Sequence, residues 1–293
     1  MTAGRKWSAP KSELLVPFDG SFRIADAPTK PPMKVDKQGL EAAREERTEE
    51  IYDLQRKLYA DNRYAVLFVF QAMDAGGKDG TIRNVFTGVN PAGFQVSSFK
   101  APSHEELEHD FLWRVAQELP ERGRIGVFNR SHYEEVLVVR VHPEFLERQS
   151  LPHLDLETIW SDRFESIRNF EKHLADNGTI IVKFFLNVSF EEQKRRLLRR
   201  IDQPSRNWKF NKGDVAERER WPDYMRAFED ALNETSRPWA PWYAIPADSK
   251  PHMRLQVARI VQETLESLDI DFPSVDEAAR LALQECREVL ESQ

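Results

Sequence analysis

The sequence predicts an α/β protein, a three-layer α/β/α sandwich around a parallel sheet. Short apolar runs, several of them rich in Val, Ile and Phe, recur at 65–70, 94–99, 125–129, 179–188 and 242–247 and read as buried strands. Stretches with helical periodicity alternate with them, which implies right-handed crossovers and helices on both faces. The first run also leads straight into a glycine-rich turn, QAMDAGGKDG, with a helical segment after it. In sheets of this kind ligands collect beyond the carboxyl ends of the strands.

Taken in order, residues 1–35 hold Pro10, Pro17, Pro28, Pro31 and Pro32 and little periodicity. They read as an extended arm that wraps the core or a partner chain. A charged helical pattern follows from about 35 to 60, marked by Leu40, Ile51, Leu54 and Leu58. Further helices are expected at 79–88, 104–119, 131–138, 156–176, 189–202, 214–234, 250–269 and 275–291. Residues 36–293 then form a single domain, a size at which one core can be buried.

Composition narrows the function classes. The chain of 293 residues carries a net charge of -7 and a pI near 5.6, which argues against a general nucleic-acid binder, since such binding rests on many Lys and Arg contacts to phosphate. No apolar run approaches the roughly 20 residues that cross a bilayer, and the N-terminus lacks the apolar core of a signal peptide. With Cys286 alone there is no intrachain disulfide and no cysteine-based metal cluster, which suits a reducing cytoplasm. Charge is unevenly spread. Between residues 194 and 212 stand Lys194, Arg195, Arg196, Arg199, Arg200, Arg206, Lys209 and Lys212 against Asp202 alone, a basic island that suggests one localised polyanionic ligand.

The turn after the first run nearly matches a phosphate-binding loop, G-x-x-x-x-G-K-[ST]. Ala72 stands where the first glycine belongs and Asp79 where the hydroxyl belongs, with Thr81 close by. Ala75, Gly76, Gly77, Lys78, Asp79, Gly80 and Thr81 are the expected cradle: glycines let the backbone approach an anion, a helix N-terminus lies behind it, and a lysine is in reach. The alternative is a plain strand-to-helix turn with a surface lysine. Asp74 adds a carboxylate that phosphate would repel unless a divalent cation lies between them; it is the candidate magnesium ligand, or else the stabiliser of an Asx turn. At the exit of the third run, Asn129 takes the place of a metal-linked acid, with Glu134 and Glu135 a turn later. Arg130 fits phosphoryl oxygens with its planar fork, or braces a helix cap. His132 is given no catalytic role.

The island opens as SFEEQKRRLLRRI, with Ser189 and Glu192 spaced as a capping box. At about 100° per residue, Arg195, Arg196, Arg199 and Arg200 share one arc, with Phe190, Leu197, Leu198 and Ile201 opposite. One face is expected on the core and the other to be arginine, unless it is simply a solvated face. A basic loop with Arg206, Lys209 and Lys212 leads to a second helix start. Helix, basic loop and helix over about 195–220 make a mobile lid that excludes water.

These motifs together resemble the polyphosphate kinase family 2, over roughly 36–270: DAGGKDGTIRNVF, FNRSHYEEVLVVRVHPE, RRID…NWKF and RPWAPWYAIPADSK. The resemblance implies a thymidylate-kinase-like P-loop core with the helical basic lid, and reversible transfer of a terminal phosphoryl group between inorganic polyphosphate and a nucleotide, with two Mg²⁺ ions. The run from Asn129 to Glu134 looks like the class III subgroup, whose members accept mono- and diphosphates, taking AMP through ADP to ATP. Glu134 is then the nucleotide-class determinant. Asp74 and Lys78 are the loop's carboxylate and lysine, Arg130 the third-strand arginine, and Arg199, Arg200 and Lys209 belong to the lid. Asn129 leaves a second metal position open. Family members suggest a homodimer or homotetramer. An ATP-dependent kinase of the same fold and a non-catalytic polyanion-binding module are the rival readings. Trp208, Trp239, Trp242 and Tyr243 are available to stack a base, though core packing suits most of them.

Overall fold

Five parallel strands, β1 (Ala65–Gln71), β2 (Phe94–Ser98), β3 (Ile125–Asn129), β4 (Thr179–Asn187) and β5 (Trp242–Pro246), form one sheet in the order β2-β3-β1-β4-β5. This is a computed structural model, and it describes residues 7–32 and 36–293. The first six residues, where no apolar leader is expected, and 33–35, where the arm should pass into the first helix, lie outside the described residues. Each strand falls within one residue of its expected place.

Burial follows strand position. Every side chain of β1, in the centre, is buried, which explains why AVLFVF reads as a continuous apolar run. β2, at one edge, is largely half-exposed. β5 stands at the other edge of the order yet is fully buried, because the arm pairs antiparallel along it. Val16 N donates to Trp242 O at 2.9 Å and Ala244 N to Leu14 O at 2.8 Å, and the Tyr243 hydroxyl donates to Pro10 O at 2.7 Å. A bare strand edge is thereby covered. Further along, Asp248 N donates to Thr29 O and the Asn187 amide donates to Ala27 O, so the arm reaches the carboxyl end of the sheet.

The helices are α1 (Lys37–Asp61), α2 (Lys78–Val85), α3 (His104–Leu107), α4 (Trp113–Ala116), α5 (Val138–Val141), α6 (Ile159–Asp176), α7 (Phe190–Asp202), α8 (Gly213–Glu219), α9 (Trp221–Thr235), α10 (Lys250–Glu266) and α11 (Glu277–Glu291). α1, α2 and α10 pack together as one layer and α5, α6 and α9 as another. Three expected helices differ. The stretch 104–119 is two short turns, because Asp110 caps a fresh start: its carboxylate accepts from Leu112 N and its carbonyl from Trp113 N. The stretch 131–138 is a 3-10 turn, His132–Val136, followed by α5. The stretch 214–234 breaks at Arg220, where Pro222 opens α9 without an N–H to extend α8. Among the described helices none is long and apolar enough to cross a membrane. α11 buries no residue at all.

Candidate active site

The carboxyl ends of β1 and β3, the start of α2, and the α7–α8 segment enclose a cavity of about 1010 Å³. The glycine-rich turn makes its floor. Ala75 and Gly77 take positive φ, 60° and 111°, conformations that side chains resist. At Gly76 a Cβ would meet the Ala72 Cβ at 2.6 Å and Met73 O at 2.8 Å, so only glycine fits the bend. No side chain caps α2 at Gly77, which leaves its first-turn N–H groups without a side-chain acceptor at the positive end of the helix. Gly76, Gly77, Lys78, Asp79 and Gly80 all line the cavity. Thr81 does not: it is fully buried, and its hydroxyl donates to Gly77 O at 3.0 Å.

Charged groups meet above this floor. Lys78 is buried and donates to Ala72 O at 2.8 Å; burial, then the neighbouring Arg130 cation, lower its pKa to about 8. Arg130, at positive φ 63°, bridges the Asp74 carboxylate at 2.5 Å and the Glu134 carboxylate at 2.9 Å. Glu134 and then Asp74 hold that guanidinium firmly charged, against burial. Asp79 accepts from the Asn129 amide at 2.9 Å and faces Lys209 Nζ at 3.4 Å. Although burial pushes its carboxyl up, Asn129 and Lys209 bring it below the usual range. Glu135 turns away, buried against Gln149 and Arg163. His132 is buried, and desolvation lowers its pKa.

The basic island divides. Its capping box is half formed: Ser189 Oγ accepts from Glu192 N at 3.2 Å, a cap whose loss to Ala costs about 1 kcal/mol, but it is Asp248 that accepts from Ser189 N. The Glu192 carboxylate pairs instead with Arg195 and Arg196. Arg196 is buried and donates to Ala75 O, Gly76 O and Ala247 O, so it braces the turn. Arg195 is exposed and off the main cavity. Arg199, Arg200, Arg206 and Lys209 line it, and Arg200 also pairs with Asp214 at 2.8 Å. The opposite face departs from expectation. Leu197 is buried, but Phe190, Leu198 and Ile201 are 41%, 48% and 49% exposed, because the helix leans on the turn through Arg196 and not on the core through those apolar side chains. Among the aromatic candidates Trp242 and Tyr243 are fully buried and Trp208 is 77% exposed.

Sequence reasoning missed the cations of α10 and α2. Lys250 and Arg254, one helical turn apart, and Arg83 face the cavity together with Lys100. Burial, then Arg196 and Arg199, bring the Lys250 pKa down to about 8. The signal was available: α10 starts with Lys250 and no acid in its first turn, where the helix dipole disfavours a cation unless an anion is present. In all, eleven Lys and Arg residues line the cavity against two carboxylates, Asp74 and Asp79.

The chain is similar to known proteins in both sequence and fold. Residues 34–273 match the family profile described as polyphosphate kinase 2. The chain is 55% identical over 244 residues to an ADP-polyphosphate phosphotransferase of Rhodopseudomonas palustris, covering 83% of this chain and 84% of that one. It is 49% identical over 226 residues to an AMP/ADP-polyphosphate phosphotransferase of Meiothermus ruber, covering 77% and 81%. The crystal structure of polyphosphate kinase 2 from Arthrobacter aurescens superposes with a TM-score of 0.85 at 37% identity, over 97% of this chain and 99% of that one.

Proposed function

The chain belongs to the polyphosphate kinase 2 family, and from that membership we propose that it transfers the terminal phosphoryl group of inorganic polyphosphate to nucleoside mono- and diphosphates, AMP to ADP and ADP to ATP, reversibly. One observation supports this above the others. Of the eleven cavity cations, Arg83, Lys100, Arg206, Lys250 and Arg254 make no side-chain hydrogen bond or ion pair among the described residues. Clustered like charges without counter-charges repel one another, and a long polyanion relieves that repulsion more fully than one triphosphate.

The acceptor oxygen of AMP or ADP is ionised near neutral pH, so no strong general base is needed. The task is to bring two anions together, which makes catalysis mainly positioning and charge stabilisation. Lys78 and the glycine-rich turn form the phosphate cradle in this reading, and Arg130 braces the group in transfer. α7, the 3-10 turn Pro204–Lys209 and α8 act as the lid. Arg199, Arg206, Lys250 and Arg254 hold the polyphosphate chain, and Glu134, through Arg130, bears on nucleotide class.

Magnesium belongs to the same proposal. No group of three or more His, Cys, Asp or Glu side chains among the described residues would enclose an ion. Asp74 and Asp79, two hard carboxylate donors beside the turn, fit Mg²⁺, which takes one or two carboxylates and completes its shell with phosphate oxygens and water. Bound there, two ions would neutralise phosphate charge. Assembly as a homodimer or homotetramer, and a cytoplasmic location, are part of the proposal too; sedimentation velocity decides the former.

The test is incubation with AMP, Mg²⁺ and polyphosphate, without ATP, followed by chromatography for ADP and ATP. Both products are expected. Product only when ATP replaces polyphosphate would favour an ATP-dependent kinase, and no product with either donor would leave a polyanion-binding module.

A further inference from the structure

Beneath the Arg130 turn lies a buried charged network that the reaction as described does not use. Lys183, in the middle of β4, is fully buried, and its ammonium donates three hydrogen bonds: to Glu171 Oε2 at 2.6 Å, to the Tyr133 hydroxyl at 2.8 Å and to Thr235 O at 2.9 Å. The Tyr133 hydroxyl in turn donates to Glu171 Oε1 at 2.8 Å, and His132 Nε2 stands 3.5 Å from the same oxygen. Burial lowers the Lys183 pKa to about 8 against the pull of Glu171. Although burial pushes Glu171 up, Lys183 and His132 hold it below its ordinary value.

Such a pair is poorly explained by stability alone. Two desolvated charges recover little more than they lose, and well-packed apolar side chains of similar volume are often as stable or more so. Its location supplies another reason. Glu171 and Lys183 come from α6 and β4, and Tyr133 connects them to the turn of residues 130–134, whose two ends, Arg130 at the cavity wall and Glu134, meet in an ion pair. Arg130 sits at φ 63°, a conformation a non-glycine residue keeps only when its surroundings over-determine it. They do. Arg130 N donates to Phe70 O at 3.0 Å, Ser131 Oγ accepts from Tyr133 N at 3.2 Å and from the Gln71 amide at 3.3 Å, and the Tyr133 hydroxyl is held from below by both members of the ion pair.

We propose that Tyr133, Glu171 and Lys183 are positioning residues for phosphoryl transfer, fixing the 130–134 turn from beneath so that the Arg130 guanidinium stays where Asp74 and Glu134 meet it. The proposal rests on the polyphosphate reading for its chemistry, but its geometry stands separately. A guanidinium displaced by about 1 Å costs rate out of proportion to binding, whereas the polyphosphate chain is held by cations on α7 and α10 that this network does not touch.

Two variants test it: Tyr133→Phe, which removes one hydroxyl, and the all-apolar set Tyr133→Phe, Glu171→Leu and Lys183→Met. Both are expected to fold, with kcat for ADP formation from AMP reduced about tenfold or more and KM for polyphosphate within about twofold of wild type. A folded Tyr133→Phe protein whose kcat stays within about twofold of wild type, or whose loss falls on KM alone, overturns the proposal. If the triple variant does not fold, Tyr133→Phe decides by itself. Should the wild type make no product from polyphosphate, the functional reading falls, and a crystal structure of Tyr133→Phe decides the positioning claim: Arg130 moved off Asp74 sustains it, and an unmoved Arg130 ends it.

Discussion

Two sets of cations share one cavity and differ in what surrounds them. At the strand exits Lys78 and Arg130 are each engaged: Lys78 by Ala72 O, Arg130 by Asp74 and Glu134. Along α10, α2 and the loop after α7, Lys250, Arg254, Arg83 and Arg206 make no side-chain hydrogen bond or ion pair among the described residues. The first set is fixed before anything binds, the condition for charge stabilisation without reorganisation. The second is left repelling itself, the condition for gaining most from an arriving polyanion. In the reading proposed above, the fixed cations set the rate and the unpaired ones set the hold on polyphosphate.

That division can be broken, most forcefully at the strand exits. Arg130→Ala and Lys78→Ala should each lower kcat by about a hundredfold to a thousandfold, the range for losing one preorganised donor, in initial-rate assays on protein shown by circular dichroism to be folded. Asp74→Asn should cost about tenfold to a hundredfold and raise the magnesium concentration needed for half-maximal rate; a wild-type magnesium titration would remove Asp74 as a ligand.

The pH profile gives the next effect. Lys78 and Lys250 both have pKa values lowered from 10.5 to about 8, so each is charged below that value and loses its proton as pH rises through it. The kcat/KM for polyphosphate, which reports the free enzyme, should therefore fall by up to about tenfold per unit on the alkaline side for each group that must be charged. A profile flat to pH 10 would contradict this.

Smaller effects sharpen the comparison. Lys250→Glu or Arg254→Glu should raise the KM for polyphosphate about tenfold with kcat nearly unchanged, an effect that shrinks as salt is added. If kcat falls instead, the two sets are not separate. Arg195→Ala should change either constant by less than about twofold, since its guanidinium is exposed and already paired with Glu192.

Much of this was legible in the chain, and the pattern of success has a physical reason. Buried parallel strands are local signals, so AVLFVF and IGVFN gave β1 and β3 closely, and the bend at Gly76 followed from DAGGKDG. What failed needed partners distant in sequence. On a helical wheel Arg196 is one of four equivalent arginines, and only folding shows it bonded to carbonyls of residues 75, 76 and 247. Thr81 looked available as a hydroxyl until the helix took it. Asp110 and Pro222 broke two expected helices by chemistry readable in principle, yet overridden by the longer periodic pattern around them. Lys250 and Arg254 lie about 40 residues beyond the basic island, outside the run of cations that marks it, although Lys250 at the first position of α10 carries a dipole signal of its own.

Arg196 also limits where a lid built from α7, the 3-10 turn and α8 would bend. Its guanidinium ties α7 to the backbone of the turn at Ala75 and Gly76 and to Ala247 beyond β5, so the first half of that helix moves only if the cradle moves with it. Beyond that anchor, Leu198 and Ile201 are half in water, so little apolar burial would be forfeited by a swing of the segment. In the lid reading proposed above, the part that moves is then residues 197–209, past Arg196, since α8 is itself tied back to the start of α7 by Arg218, which donates to Phe190 O and to the Gln193 side chain. In that reading, mutations intended to change the speed of opening belong at residues 197–203, while those placed earlier will alter the floor of the cavity instead.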